Sequence, residues 1–303
     1  MKRFLIQSIL IIVLPFTILL GGIELFIRNI SNDYKYKHEW LTANNSQIEV
    51  LCLGSSHGYF GIKPDIFSKV AFNLAFTSQS LKYDKYLYDT YASLCHSLNY
   101  LILPISYVSM RSDLETSTEN WRIKGYSIYM GCDFHQYELF YNLEIASKDK
   151  LRAIYEFMSC DTSFVNCDSL GWGTNYKVEL RNDEWQKTGL AACQRHTIFS
   201  HEYVEDNKQY LKDIIDDCVK RDIKVILLTT PTHKSYFELL DANQLNEMND
   251  ICNRFDDKHE NVVYLNWLKN DAFTDEDFFD ADHLNEYGAE KLTKMLDEYI
   301  MNW

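Results

Sequence analysis

Two short segments that lie far apart in the chain carry residue types suited to nucleophilic acyl chemistry. The segment "GSSHG" at 54–58 holds two serines, and "DADH" at 280–283 holds an aspartate three residues before a histidine. A serine attacks a carbonyl group effectively only when a base removes its proton, and a histidine base works best when a carboxylate fixes its tautomer. Asp280 and His283 are therefore a candidate orienting carboxylate and base on one loop. Asp282 is the rival carboxylate, although a residue adjacent to the histidine usually points elsewhere.

Each segment also has an ordinary structural interpretation. A G-S-S-x-G sequence is a common turn after a strand, and a D-x-x-H sequence ahead of a helix often serves only as a cap. The chemical interpretation gains weight if both segments lie at the same edge of one sheet.

Five short apolar segments have the composition of buried strands. They are 48–54, 71–75, 100–106, 224–231 and 261–267. Short apolar runs that end in glycine or polar residues are typical of strands buried on both faces. Polar side chains follow these runs at Ser55–His57, Thr77–Ser78, Ser106–Tyr107 and Thr229–His233.

Segments with helical periodicity alternate with the predicted strands. Residues 81–98 and 207–223 have apolar positions three and four apart, 244–255 is also helical, and Asn285 is a good N-cap for a last helix. This alternation indicates an α/β fold with a five-stranded parallel sheet covered on both faces. Sites in such sheets form beyond the carboxyl ends of the strands, and both candidate segments are predicted there.

The first thirty residues differ from the rest of the chain. Lys2 and Arg3 precede an uncharged, apolar segment at 4–23, and about 20 apolar residues suffice to cross a bilayer as a helix. We predict an N-terminal membrane anchor at 1–28. A cleaved signal sequence is the alternative, although the segment shows no A-x-A cleavage site. Lys2 and Arg3 are expected in the cytoplasm, which places the rest of the chain on the extracytoplasmic side.

Behind the anchor, a polar juxtamembrane linker is predicted at 29–47 and one large domain at 48–303. Residues at about 108–201 break the alternation of strands and helices and are rich in tyrosine, tryptophan, asparagine and aspartate. We interpret this stretch as an insertion on the same domain, serving as a lid or substrate wall, with one helix near 137–158. Trp172 and Tyr176 are candidates to stack on sugar rings, and ordinary packing is the alternative.

Charge and cysteine content limit the classes of partner and cofactor. A net charge of −14 argues against a nucleic-acid partner, because phosphates would be repelled. The eight cysteines form no C-x-x-C pair and no histidine falls at zinc spacing, so no metal and no other cofactor is predicted. Cys160 and Cys167 flank a short polar loop and could form a disulfide in an oxidising compartment.

The "GSSHG" segment resembles the first sequence block of the SGNH/GDSL hydrolase superfamily. Gly54 matches the glycine that ends the first strand in that family, and Ser56 matches the nucleophilic serine. Ser55 stands where many members have aspartate. "DADH" resembles the family's D-x-x-H block, which precedes the last helix.

The resemblance covers about residues 48–303 and is specific at its two ends. It implies a flavodoxin-like three-layer sandwich, which agrees with the five strands read from the sequence. It also implies a catalytic triad of Ser56, His283 and Asp280.

The middle of the sequence departs from the family pattern. The family's second block contributes a glycine N–H to the oxyanion hole, and Ala75 stands there, so the backbone N–H groups of Ser56 and Ala75 are the implied donors. The third block usually supplies an asparagine, which "LPISYVS" at 103–109 lacks, and Ser106 is the candidate substitute. His57 is a candidate wall residue of the site, and His233 a candidate substrate contact.

The sequence is similar to a branch of the superfamily that acts on cell-envelope polymers. The similarity lies in the combination of matching first and last blocks, altered second and third blocks, and an N-terminal anchor. That branch includes the D-alanyl transfer protein of teichoic acid modification and the alginate O-acetylation proteins, and "HLNEYGA" at 283–289 strengthens the comparison. It implies an esterase or O-acyltransferase that acts on acyl groups, above all acetyl groups, of a cell-surface polysaccharide. A transferase would work with a membrane O-acyltransferase as its partner. The alternative is a catalytically silent glycan-binding or assembly module, which the departures in the middle blocks would suit.

Overall fold

The computed structural model describes residues 2–146 and 164–303. The α-helices are α1 (Lys2–Asn29), α2 (Asp33–Asn44), α3 (Ser56–Gly61), α4 (Leu81–Tyr91), α5 (Ile123–Tyr129), α6 (Leu139–Asn142), α7 (Thr188–His196), α8 (Val204–Lys220), α9 (Lys234–Phe237), α10 (Ala242–Asp256) and α11 (Glu286–Asn302). The strands are β1 (Val50–Cys52), β2 (Ala71–Asn73), β3 (Tyr100–Pro104), β4 (Lys224–Thr229) and β5 (Val262–Asn266).

Internal contacts divide the chain into two compact units. The N-terminal unit consists of Met1–Glu39 and Asn120–Val165, and the sheet unit consists of Trp40–Glu119 and Asn166–Trp303. Both candidate chemical segments belong to the sheet unit. The predicted boundaries at 28 and 47, and the insertion at 108–201, follow a different division and stay predictions.

The sheet unit is built on five parallel strands. Their order is β2-β1-β3-β4-β5, and every neighbouring pair is parallel. The order 2-1-3-4-5 is that of flavodoxin-like doubly wound folds, in which ligands bind beyond the carboxyl ends of the strands where the winding reverses. The predicted α/β class and five-stranded parallel sheet are confirmed, and each strand lies within the segment predicted for it.

Helices cover both faces of this sheet. One buried cluster joins the sheet to α11 and includes Cys52, Ile102, Ile226, Leu292 and Leu296. Side chains alternate along a strand, so the neighbouring residues point to the other face. Leu51, Leu101 and Leu227 are fully buried there, and α8 contacts both β4 and α4. Strands buried on both faces explain why the sequence shows continuous apolar runs rather than alternation.

The N-terminal unit contains a helix that is long and apolar enough to cross a membrane, at Gln7–Asn29 with a mean hydropathy of 2.5. Near the end of α1, Glu24 is buried and accepts hydrogen bonds from the backbone N–H groups of Glu144 and Ile145. Arg28 pairs with Glu24 and donates to the carbonyl of Asn142. Part of the predicted insertion is therefore held by this helix, whose membrane role and orientation stay predictions.

The stretch predicted as a polar linker is largely helical. Residues 33–44 form α2, and both Lys37 and Leu41 are fully buried. Polar and apolar residues are mixed around this helix, so no amphipathic pattern marks it in the sequence. Of the helix expected near 137–158, α6 lies within the described residues. The part from 147 onward, together with Cys160 of the suggested disulfide, lies outside them.

Candidate active site

The structure brings Ser56, His283 and Asp280 together beyond the carboxyl end of β1. His283 Nε2 lies 2.8 Å from Ser56 Oγ. On the other side of the ring, His283 Nδ1 lies 3.0 and 3.1 Å from the two carboxylate oxygens of Asp280. With its hydrogen on Nδ1, the imidazole donates to Asp280 and leaves Nε2 free to accept the Ser56 proton. This is the order of groups that nucleophilic serine chemistry requires.

A sharp turn between β1 and α3 presents Ser56. Gly54 has a φ of 103°, in the region that favours glycine, and a Cβ there would lie 3.0 Å from Pro104 Cδ. The N–H of Gly54 donates to the buried carboxyl of Asp84 at 2.7 Å. Helix α3 begins at Ser56. The backbone N–H of Ser56 therefore lies in the first turn, where N–H groups have no partner within the helix. Its predicted role as an oxyanion donor stays a prediction.

Asn73, at the end of β2, holds α3 in place through its side-chain amide. This role is not among those predicted from the sequence. The Asn73 amide donates at 2.8 Å to the carbonyls of both Gly58 and Ile62. Its Oδ1 accepts the N–H of Ala75 at 3.0 Å. The expected role of Ala75 as an oxyanion donor is therefore corrected, because its hydrogen is already engaged within the protein. A polar residue inside the apolar run "AFNLA" was the available signal.

The loop that carries His283 is fixed by two side chains. Asp280 accepts hydrogen bonds from the backbone N–H groups of Asp282 and His283. Asn285 caps α11 by accepting from Tyr287 and Gly288, as predicted for this residue. It also donates to the carbonyls of Glu276 and Phe278. His283 is thus held between a turn and a helix cap.

Burial and charge set the protonation of this pair. Burial disfavours a charged Asp280, but the adjacent His283 and the hydrogen bonds outweigh it and lower the pKa of Asp280 to about 2. Burial also disfavours a charged His283, but the carboxylates of Asp280 and Asp282 outweigh it and raise its pKa to about 9. The pair therefore stabilises an imidazolium, the state that forms when the base has taken a proton.

Aromatic rings form a wall beside His283. Tyr176 stacks on Phe60 at 3.7 Å between ring centroids and on Phe279 at 4.1 Å. The rings of Tyr176 and Phe60 each make a T-shaped contact with the imidazole of His283. His57 is buried and stacks on His283 at 4.8 Å, and burial lowers its pKa well below the usual value. His57 thus lies against His283 as a neutral ring, and its role as a wall residue of the site stays a prediction.

Trp172 lies in a different environment from the one expected. It is 6% exposed, its indole N–H donates to the carbonyl of Phe60 at 2.7 Å, and the Lys63 amino group lies over its ring. Trp172 therefore packs against α3 and offers no open face to a sugar. The indole N–H donates to a buried backbone carbonyl, and the composition of the segment does not reveal this contact.

His233 and Ser106 are engaged by neighbours. His233 caps α9 through Ser235, and its Nε2 lies 3.2 Å from Asp275 Oδ1. Ser106 bonds Ser109 through both its hydroxyl and its N–H. Within the described residues these contacts give His233 a capping role and Ser106 a turn role. Neither is hydrogen-bonded to the Ser56–His283 pair, and their expected roles at the substrate stay predictions.

His57, Asp282 and His283 place potential ligand atoms within 4.8 Å of one another. Both ring nitrogens of His283, however, already face Ser56 and Asp280. The imidazole has no nitrogen to offer a metal while these contacts exist. We assign no metal to this group.

Solved structures with a similar fold come from several bacteria. A Streptococcus pneumoniae protein described under the name platelet activating factor shares 12% identity over 95% of this chain and 97% of that one, with a TM-score of 0.45. A GDSL-like lipase from Bacteroides thetaiotaomicron shares 11% identity over 89% of this chain and 100% of that one, with a TM-score of 0.42. No protein-family model matches the chain, and no curated protein does.

Proposed function

We propose that this protein is a serine-dependent ester hydrolase or O-acyltransferase of the SGNH/GDSL type. The observation that supports it most strongly is the hydrogen-bonded series Ser56–His283–Asp280, with distances of 2.8 and 3.0 Å. If the two segments served only as a turn and a helix cap, nothing would require the Ser56 hydroxyl to contact the His283 imidazole. The same contact argues against a catalytically silent module.

The reaction proceeds through an acyl-serine. Ser56 Oγ attacks the ester carbonyl while His283 Nε2 takes its proton, and Asp280 stabilises the imidazolium. The C–O bond to the alcohol then breaks, and His283 returns the proton to the departing oxygen. Water or a sugar hydroxyl, deprotonated by His283, attacks the acyl-serine carbonyl. The bond to Ser56 Oγ then breaks, and His283 returns the proton to Ser56 Oγ. The oxyanion is met by the N–H of Ser56 at the start of α3.

The proposed substrate is an acyl group, above all an acetyl group, on a cell-surface polysaccharide. Three features support this: the resemblance to the envelope branch, the apolar helix α1 near the N-terminus, and the aromatic wall of Phe60, Tyr176 and Phe279 beside the base. In this proposal α1 anchors the protein in the membrane, with the sheet unit on the extracytoplasmic side. If the acceptor is a sugar, a membrane O-acyltransferase supplies the acyl group.

Turnover of a small ester tests this function. We expect the full-length protein in detergent to release nitrophenolate from p-nitrophenyl acetate, and Ser56→Ala and His283→Ala to lower kcat/KM by about 10³-fold or more. Ser55→Ala is the matched control, because Ser55 Oγ faces His57 at 3.5 Å rather than the base. Mass spectrometry of an added oligosaccharide distinguishes transfer from hydrolysis, because transfer adds an acetyl group to the oligosaccharide and hydrolysis does not. Wild-type turnover no faster than that of Ser56→Ala would refute the proposal.

A further inference from the structure

A second carboxyl group lies against the base. Asp282 Oδ2 is 3.5 Å from His283 Nδ1, the nitrogen that Asp280 also faces. The Asp282 side chain is 2% exposed, and its Oδ2 has no hydrogen-bond partner among the described residues. His196 Nδ1 is nearby at 3.9 Å.

This position is costly unless it serves a purpose. A buried carboxylate oxygen that accepts no hydrogen bond loses its hydration without compensation. Residues that only fill space or cap a helix bond their oxygens, as Asn285 does in the same loop. The unpartnered oxygen of Asp282 instead faces an imidazole, so its main interaction with His283 is electrostatic.

We propose that Asp282 is a positioning residue that acts through His283 and sets the pH range in which this imidazole accepts the Ser56 proton. The inference rests on the proposed function, since it concerns the base of that reaction. Asp280 fixes the ring and its tautomer. Asp282 adds a charge that depends on pH.

The direction of the effect follows from the sign of the charges. Burial, with Asp280 beside it, raises the pKa of Asp282 to about 6. As the pH rises through this value, Asp282 ionises and puts a second negative charge beside His283. The imidazole then holds its proton more tightly, so its neutral form, which can act as a base, appears only at higher pH.

The other groups that face this pair do not supply such a charge. On α3, His57 stays neutral because burial lowers its pKa well below the usual value. On α7, burial lowers the pKa of His196 to about 4, and Arg195 opposes the imidazolium by repulsion. On α9, burial keeps the pKa of Tyr236 well above its usual value, so it stays neutral.

The aromatic side of the base adds no charge either. Phe60 and Tyr176 meet the ring through T-shaped contacts. Of the described groups packed around His283, Asp280 and Asp282 are thus the anions. Asp280, with a pKa of about 2, is ionised throughout the range of interest, which leaves Asp282 as the group that changes.

Two measurements on the full-length protein test the inference. The first is an NMR titration of the imidazole signals of the nine histidines, with His283 assigned by its loss in His283→Gln. The second is the pH dependence of the rate at which a fluorophosphonate inactivates Ser56. In Asp282→Asn, which keeps the shape and removes the charge, we expect both midpoints to fall by about one pH unit or more. Asp297→Asn, at a carboxylate that bonds Ser68, should leave both unchanged.

The outcomes separate this inference from the proposed function. An unreactive wild-type Ser56 at every pH contradicts the function, while the His283 titration still decides the role of Asp282. An unchanged His283 midpoint in Asp282→Asn overturns the inference, as does loss of reactivity at every pH in a variant that melts like the wild type. If Asp282→Asn does not fold, the wild-type titration decides. A two-step His283 curve with its first step near the pKa of Asp282 supports the coupling, and a single step refutes it.

Discussion

Asn73 donates a 2.8 Å hydrogen bond to the backbone carbonyl of Gly58, so the last residue of β2 holds the helix that begins at the candidate nucleophile. The same amide reaches the carbonyl of Ile62, one residue past the end of α3. Asn73 is fully buried. The sheet thus fixes the orientation of Ser56 through a side chain that makes no contact with the reacting atoms.

Asn73→Asp tests this attachment. Aspartate has the same shape, but its ionised form cannot donate and its neutral form has one donor where the amide has two, so at least one carbonyl loses its partner. We expect a loss of about 2 kcal/mol or more in the free energy of unfolding, seen as a lower melting temperature, and a fall in esterase kcat/KM. Asn302→Asp is the control, because the Asn302 amide donates to Glu298 at the exposed end of α11. Equal melting temperatures for the two variants would show that Asn73 does not hold α3.

Gly58 and Gly61 give a matched pair within α3. A Cβ at Gly58 would lie 2.7 Å from the carbonyl oxygen of Leu53, whereas a Cβ at Gly61 would meet Leu292 Cδ2 at an ordinary 3.6 Å. Alanine favours the helix equally at both positions, by about 1 kcal/mol. We therefore expect Gly58→Ala to lower melting temperature and to cut kcat/KM by about tenfold or more, since Ser56 must shift. Gly61→Ala should be neutral or stabilising, and similar activities in the two variants would contradict the close approach of α3 to β1.

Asp84 should make stability depend on pH. Its buried carboxyl accepts from the N–H of Gly54 and from Gln79, and burial raises its pKa to about 7. This pKa lies above the unfolded value of 3.8. The Asp84 carboxyl therefore makes its full contribution to the stability of the folded state below about pH 4, where it is neutral in both states. That advantage is lost as the pH rises through 7.

Melting temperatures at several pH values test this dependence. Asp84→Asn should reduce the decrease in melting temperature between pH 5 and pH 8, because the amide does not ionise. Asp89→Asn, at an exposed position on the same helix, should keep the wild-type dependence. A decrease that is the same in Asp84→Asn as in the wild type would exclude Asp84 as its source.

The elements that repeat a pattern could be predicted from the sequence. All five strands were found, because strands covered on both faces need continuous apolar runs. The edge at which Ser56 and His283 meet followed from the parallel order, since carboxyl ends share one side. Asn285 was recognised as a cap because the capping bond is local.

Features that depend on distant partners could not be predicted. Asn73 and Asp84 act on backbone groups of the β1–α3 region, and nothing near them in the chain shows those partners. Trp172 was expected at an open surface, yet its indole N–H is satisfied by Phe60, more than a hundred residues earlier. Ala75 failed as a donor because Asn73, two residues before it, takes its hydrogen. Because the side chains of adjacent residues usually diverge, the sequence favours Asp280 over Asp282 as the partner of His283, but the tight turn at 280–283 directs both carboxylates to one nitrogen.

If Ser56 is a nucleophile activated by His283, an acyl-enzyme should form on Ser56 and can be trapped. The full-length protein would be mixed with an activated acetyl ester, quenched in acid, and mapped by peptide mass. We expect one added acetyl group on Ser56 in the wild type and in Ser55→Ala, and none there in Ser56→Ala or His283→Ala. An acetyl group on another residue, or Ser56 labelling that survives His283→Ala at the wild-type rate, would contradict it.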